Sequence, residues 1–178
     1  MSRWRPPSTE RASPYVTADG LARLQAEYDH LWRERRPAVV RALAAAAAEG
    51  DRSENAEYQY RKKELGEIDR RVRYLQRRLP QLRVPPLPDD PGRIHFGAAV
   101  RICVDGDAER ALRLVGADET DTASGCVSVD APLPRALLGR REGDVFLHAA
   151  PGGEQEIEVL SVVYAEPGDA RAVHDDPD

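Results

Sequence analysis

Two carboxylates three residues apart, Asp51 and Glu54, follow a glycine, Gly50, between two stretches with helical spacing. At the start of a helix, residues i and i+3 face the same way, so the pair can share one divalent cation. The same Asp-x-x-Glu spacing also makes a capping box, in which both side chains satisfy orphan backbone N–H groups. Spacing alone favours the cap and leaves the ion-binding reading open. A second group follows: Arg61, Lys62, Lys63, Arg70, Arg71 and Arg73. Such cations can hold nucleic-acid phosphates, but Glu64, Glu67 and Asp69 sit within helical pairing distance of several of them. A solvated, ion-paired helix face is the plainer reading. His30, His95, His148 and His174 show no ligand spacing, and Cys103 and Cys126 read as free thiols in separate strand-like stretches.

The elements that must position these groups are legible from periodicity. Residues 1–14 are rich in Pro, Ser and Arg without period, so they read as a flexible arm. Thr17 or Asp19 then caps a helix whose seam runs through Leu21, Leu24, Tyr28, Leu31, Arg35, Ala38, Ala42 and Ala45. Pro37 interrupts it and predicts a local kink or a compensating neighbour. Past Gly50, Tyr58, Arg61, Leu65, Ile68, Val72, Leu75, Leu79 and Leu82 repeat the 3/4 rhythm. Two heptad helices joined by so few residues lie antiparallel. The expected coiled-coil hairpin spans 15–83, with its acidic tip at 50–55. At about 1.5 Å per residue, some 30 residues make an arm of roughly 45 Å.

A Pro-rich linker is expected over 84–95, and beyond it the period changes to two. Ala99–Val104, Ala111–Val115, Val127–Val129, Val145–Leu147 and Ile157–Val163 predict strands, with one short helix around Pro134–Leu138. Residues 96–164 therefore read as a small α+β domain, and 165–178 as a disordered acidic tail. Charge follows the same division. Residues 15–83 carry 15 Lys and Arg against 11 Asp and Glu, while 84–178 carry 8 against 19. A basic half and an acidic half point to two partners of opposite character. With no long apolar run and no apolar core in the first 14 residues, neither a membrane span nor a secretory signal is expected, and a cytoplasmic protein is. A hairpin closed within one chain at Gly50 points to a monomer rather than a coiled-coil dimer.

The tip, Gly50-Asp51-Arg52-Ser53-Glu54-Asn55-Ala56-Glu57-Tyr58, closely resembles the signature of the Gre transcript cleavage factors. The resemblance continues through Leu31-Trp32-Arg33-Glu34, Tyr60-Arg61-Lys62-Lys63 and Ile68-Asp69-Arg70-Arg71-Val72-Arg73-Tyr74-Leu75. In the second domain it takes in Val129-Asp130-Ala131-Pro132-Leu133 and Glu142-Gly143-Asp144. It covers about residues 15–164 in order and is nearest to the GreB branch.

The resemblance implies an antiparallel coiled-coil hairpin followed by an FKBP-like α+β domain. It implies a transcription elongation factor working in the secondary channel of a backtracked bacterial RNA polymerase, where the polymerase hydrolyses its own transcript. In that picture Asp51 and Glu54 stabilise a second Mg²⁺ at the polymerase's active site, and the factor is an accessory rather than an enzyme. Arg52, Asn55, Arg61, Lys62, Lys63, Arg70 and Arg71 would contact the RNA 3′ end, with Tyr60 a candidate for stacking on a base. Asp130 and Pro132 match the loop that grips the polymerase rim, although Ala131 and Pro134 depart from the family's usual residues there. The rival readings are a channel inhibitor of the same fold and a prolyl isomerase. Phe96, Phe146 and Tyr164 alone make a poor aromatic pocket for the latter.

Overall fold

The computed structural model describes residues 12–48 and 55–164. Residues 49–54, which include Asp51, Arg52 and Glu54, lie outside the described residues, as do 1–11 and 165–178. The chain divides into two compact units, one spanning Asp19–Leu82 and the other joining the residues up to Ala18 to those from Arg83 onward.

In the first unit, helix α1 (Ala18–His30) runs into a wide π turn (Leu31–Arg35) and on into α2 (Arg36–Ala48). The return arm is α3 (Ala56–Arg78), extended by a tight 3₁₀ turn, Leu79–Gln81. The arms are antiparallel, because partners descend one arm as they ascend the other. Ala46 meets Asn55, Arg36 meets Asp69 and Glu27 meets Arg71. Val39, Ile68 and Val72 form the buried seam, with Tyr28, Leu31 and Leu65 packed around them.

Pro37 explains the π turn. It has no N–H to donate, and in a regular α-helix its ring would strike the carbonyl four residues back. The turn before it is widened instead, with the Arg36 N–H reaching the Leu31 carbonyl five residues back. The extra residue advances the seam by one position. Leu24 is buried as expected, but beyond the turn Val39 and Ala46 are buried, whereas Arg35 and Ala45 are exposed. The seam expected at Arg35, Ala38, Ala42 and Ala45 is therefore corrected. In α3, where nothing interrupts the helix, Ile68, Val72 and Leu75 are buried on the expected rhythm.

The second unit is a five-stranded sheet in the order β3-β2-β1-β5-β4. Its strands are β1 (Ala99–Val104), β2 (Ala108–Val115), β3 (Cys126–Ser128), β4 (Val145–Ala150) and β5 (Gly153–Val163). Only β2 and β3 pair in parallel; β1–β2, β1–β5 and β4–β5 are antiparallel. A tight three-residue turn, Asp105–Asp107, with positive φ at Asp105 (54°) and Gly106 (72°), joins β1 to β2. The single helix described in this unit, α4 (Pro132–Leu137), has proline near its start, where a missing N–H costs nothing. Ile102, Leu114, Leu137 and Ile157 lie in the core without exposure, and burial alternates along β1 and around Ile157 in β5.

The expected α+β class holds, but two segments belong elsewhere than the periodicity suggested. Ile94, assigned to the linker, is fully buried in the sheet core and exchanges backbone hydrogen bonds with Gly139 and Arg140. Residues 13–17, which periodicity divides between a flexible arm and the hairpin, pack into the sheet unit. Val16 has no exposed surface, and Tyr15 bridges to Arg83. The apolar Val16 and Ile94 sit amid Pro and polar residues, where no repeat announces burial.

Candidate functional site

The tip is bounded by a clamp. Asn55 is the N-cap of α3, its carboxamide oxygen accepting from the Tyr58 N–H at 3.0 Å. The amide nitrogen of the same side chain donates to the Ala46 carbonyl across the hairpin at 2.9 Å. One residue thus satisfies an orphan N–H of α3 and ties that helix to the last turns of α2. The N-cap of α3 is Asn55, and the capping box that spacing offered to Asp51 and Glu54 lies outside the described residues. Asn55, expected among the RNA contacts, is committed at both ends of its amide to the hairpin.

The basic residues of α3 divide by what they touch. Arg61 donates to Glu57 at 2.7 Å and to Glu64 at 3.0 Å. Those two carboxylates, Glu57 foremost, raise its pKa above the ordinary value, and its guanidinium also lies 5.2 Å from the Tyr60 ring centre. Arg71 makes a two-pronged pair with Glu27, at 2.7 and 2.6 Å, which joins the two arms. Lys62, Lys63 and Arg70 are exposed and make no ion pair with another described residue. Arg73 and Arg77 are exposed too, their Nε atoms resting on the carbonyls four residues back.

Lys62, Gly66, Arg70, Arg73 and Arg77 recur at steps of four and three, so they share the face of α3 turned from Ile68 and Val72. From Lys62 to Arg77 this stripe extends about 22 Å along the axis. The expected group is thus separated into an outward stripe of Lys62, Lys63 and Arg70 and two structurally paired arginines, Arg61 and Arg71. Arg77 extends the stripe and was missed, although the continuing 3/4 step from Arg73 was a signal for it. Tyr60, with 58% of its surface exposed, stands near the tip-proximal end of α3.

Asp130 and Pro132 lie in the sheet unit. Asp130 follows β3, its N–H donating to the Ser128 hydroxyl at 3.1 Å and its Oδ2 accepting from the Ser13 N–H at 2.8 Å. Pro132 is exposed at the start of α4. The sequence offered no signal that Ser13 would meet Asp130, 117 residues further on. Cys103 and Cys126 are free and half-buried. Among the described residues, no three His, Cys, Asp or Glu side chains gather as a metal site, and no helix is long and apolar enough to cross a membrane.

Comparison with known proteins gives these two units a common context. Residues 14–84 match the model of the transcription elongation factor N-terminal domain, and residues 88–164 match that of the GreA/GreB C-terminal domain. The chain is 58% identical to transcription elongation factor GreB of Xanthomonas axonopodis pv. citri, over 93% of this chain and 99% of that protein. It is 49% identical to transcription elongation factor GreB of Pseudomonas aeruginosa, over 92% and 98%. Among solved structures, the GreA factor homolog 1 protein of Thermus thermophilus is 22% identical, covering 84% of this chain and 97% of its own, at a TM-score of 0.39. With both domain models matched in order along a helical hairpin and an α+β sheet unit, the chain belongs to the GreA/GreB family of transcription elongation factors.

Proposed function

We propose that this chain enters the secondary channel of RNA polymerase and stimulates the polymerase's own cleavage of backtracked RNA. In this reading Asp51 and Glu54 donate ligands for a second Mg²⁺, and the chain is an accessory, not itself an enzyme. What carries the proposal is membership of the GreA/GreB family of transcription elongation factors over both domains. With α3 starting at Ala56 behind its Asn55 cap, both carboxylates belong to the segment that joins the two arms. Two carboxylates suit Mg²⁺, which favours one or two of them plus waters and phosphate oxygens over a closed protein cage. Bound there, the ion would stabilise charge on the attacking or leaving oxygen of the phosphodiester.

This chain's own groups do the rest. Lys62, Lys63 and Arg70 hold phosphates of the extruded RNA 3′ end, with Arg52 nearer the tip and Tyr60 available to stack on a base. Asp130 and Pro132 grip the polymerase at the channel rim. The test is transcript cleavage by a stalled polymerase with wild-type chain, Asp51→Ala and Glu54→Ala. Each variant should lose stimulation by about 100-fold or more, the cost typical of removing a group that stabilises transition-state charge, while polymerase affinity stays within about twofold. Full stimulation by both variants would overturn the mechanism. A wild-type chain that binds and suppresses cleavage would instead favour the inhibitor reading.

A further inference from the structure

We propose that residues 13–17 form a positioning strap for the docking loop, the main-chain N–H of Ser13 setting the orientation of the Asp130 carboxylate. The inference rests on the reading of Asp130 as a polymerase contact, and it gives that contact a second half from the other end of the chain.

Several independent features fasten the strap to the sheet unit. Val16 has no exposed surface. Its N–H donates to the Arg83 carbonyl at 3.1 Å, and the Arg83 N–H donates to the Pro14 carbonyl at 2.8 Å. The Tyr15 ring packs against Phe96 with centres 5.7 Å apart. Gly116 lies so close beneath the strap that a Cβ there would fall 2.2 Å from the Tyr15 carbonyl oxygen. A glycine at this position permits a close backbone approach that any side chain would block.

The deepest fastening is a carboxylate. Glu119 is the buried charged residue among those described, only 7% exposed. Its Oε2 accepts from the Thr17 N–H at 2.9 Å and the Gly116 N–H at 3.1 Å, and its Oε1 accepts from the Thr17 hydroxyl. Burying a carboxylate is costly unless its lone pairs are met, and two of these three donors come from the strap. Lifting the strap would take two donors from this buried carboxylate, so the fold holds the strap down.

The Ser13 end of the strap reaches the loop. The Val129 N–H donates to the Val115 carbonyl, so the segment before Asp130 is stitched beside Gly116, where the strap crosses. There the Ser13 N–H meets Asp130 Oδ2 at 2.8 Å. Asp130 Oδ1 accepts no hydrogen bond from another described residue. A short acidic side chain with one oxygen pinned presents the other in a fixed direction, which lowers the ordering cost when a partner's donor arrives.

The experiment measures the affinity of the full-length chain for RNA polymerase. Asp130→Ala should weaken binding about tenfold, in line with a hydrogen bond to a charged group. Ser13→Pro removes the N–H and should weaken it at least about threefold more than Ser13→Ala, which keeps the N–H. Combining Ser13→Pro with Asp130→Ala should lose no more than Asp130→Ala alone, because the strap acts through that carboxylate. Thr17→Val loosens the strap at Glu119 without altering Ser13 or Asp130, and should weaken binding only where Asp130 is intact. It keeps the inference testable if Ser13→Pro fails to fold. Wild-type affinity in Ser13→Pro and Thr17→Val, or losses that add to that of Asp130→Ala, would overturn the strap and leave docking by Asp130 standing. Wild-type affinity in Asp130→Ala would overturn the docking reading, and the strap's role with it.

Discussion

The two units of this chain solve the problem of burial differently. The sheet unit gathers ten buried residues, among them Ile102, Leu114, Leu137 and Ile157, into one core between the sheet and its helix. Among the described residues of the hairpin, Leu24, Val39, Ala46, Ile68, Val72 and Leu75 are buried, strung along the arms, with Val39, Ile68 and Val72 in one cluster. Two helices alone can bury only one stripe each, so a long thin arm has no depth in which to grow a core. It sets its register with cross-arm pairs instead: Arg35 with Glu64, Arg36 with Asp69, and Arg71 with Glu27. The Arg71 and Glu27 side chains remain 41% and 37% exposed, so solvent and salt screen that pair, worth up to about 1 kcal/mol. The hairpin thus has a shallow seam held by ion pairs, while the sheet unit has a deep apolar core.

Truncating one core residue in each unit tests that contrast most strongly. Ile157→Ala should cost about 2–5 kcal/mol, by lost transfer energy plus a cavity, and should lower the denaturation midpoint of the sheet unit. Val72→Ala removes less volume and should cost about 1–2 kcal/mol, read as early loss of helical circular dichroism. Equal losses at the two sites would erase the distinction between a deep core and a shallow seam.

A smaller effect should come from the stripe. The double variant Lys62→Ala with Lys63→Ala should leave the melting temperature within a few degrees of wild type. It should also flatten the salt dependence of RNA cleavage by about 1.4 units of log–log slope, roughly 0.7 for each single-strand phosphate that is no longer neutralised. An unchanged slope would remove these lysines from the RNA-binding face. Smallest of all, Gly66→Ala should stabilise α3 by up to about 1 kcal/mol through helix propensity. The nearest atom to the new Cβ is the flexible Arg70 Nη1 at 3.7 Å, so nothing must move. Destabilisation there would mean that the stripe's backbone is held by something other than helix propensity.

Where a signal is local and uninterrupted, the sequence and the structure agree. The seam of α3 follows its 3/4 rhythm through Ile68, Val72 and Leu75, and β1 alternates as its residues predict. The seam of the first arm went wrong beyond Pro37. The sequence announced a disturbance there, but a kink and an inserted residue have the same local cause, and the packing of Val39 against Ile68 and Val72 selected the latter. At the candidate site, the basic residue types and the Glu64 partner of Arg61 were legible, but the partner on the opposite arm was not. Arg70 and Arg71 are neighbours in sequence, yet one points outward and the other is bound to Glu27 on the opposite arm. The difference of about 100° between adjacent helix positions decides it, once the facing arm is in place.

The sequence by itself determined the two-part architecture, the helical hairpin, the strand pattern and the chemical types between and along the hairpin's arms. These depend on period, composition and neighbours within a few residues. The tertiary structure decided which residue caps α3, how far the seam advances past Pro37, and which arginines are spent on the arm itself. It also decided that residues 13–17 belong with the sheet, where Glu119 and Asp130 receive their N–H groups. Those outcomes depend on pairings between residues tens to a hundred positions apart, which leave no local period to read.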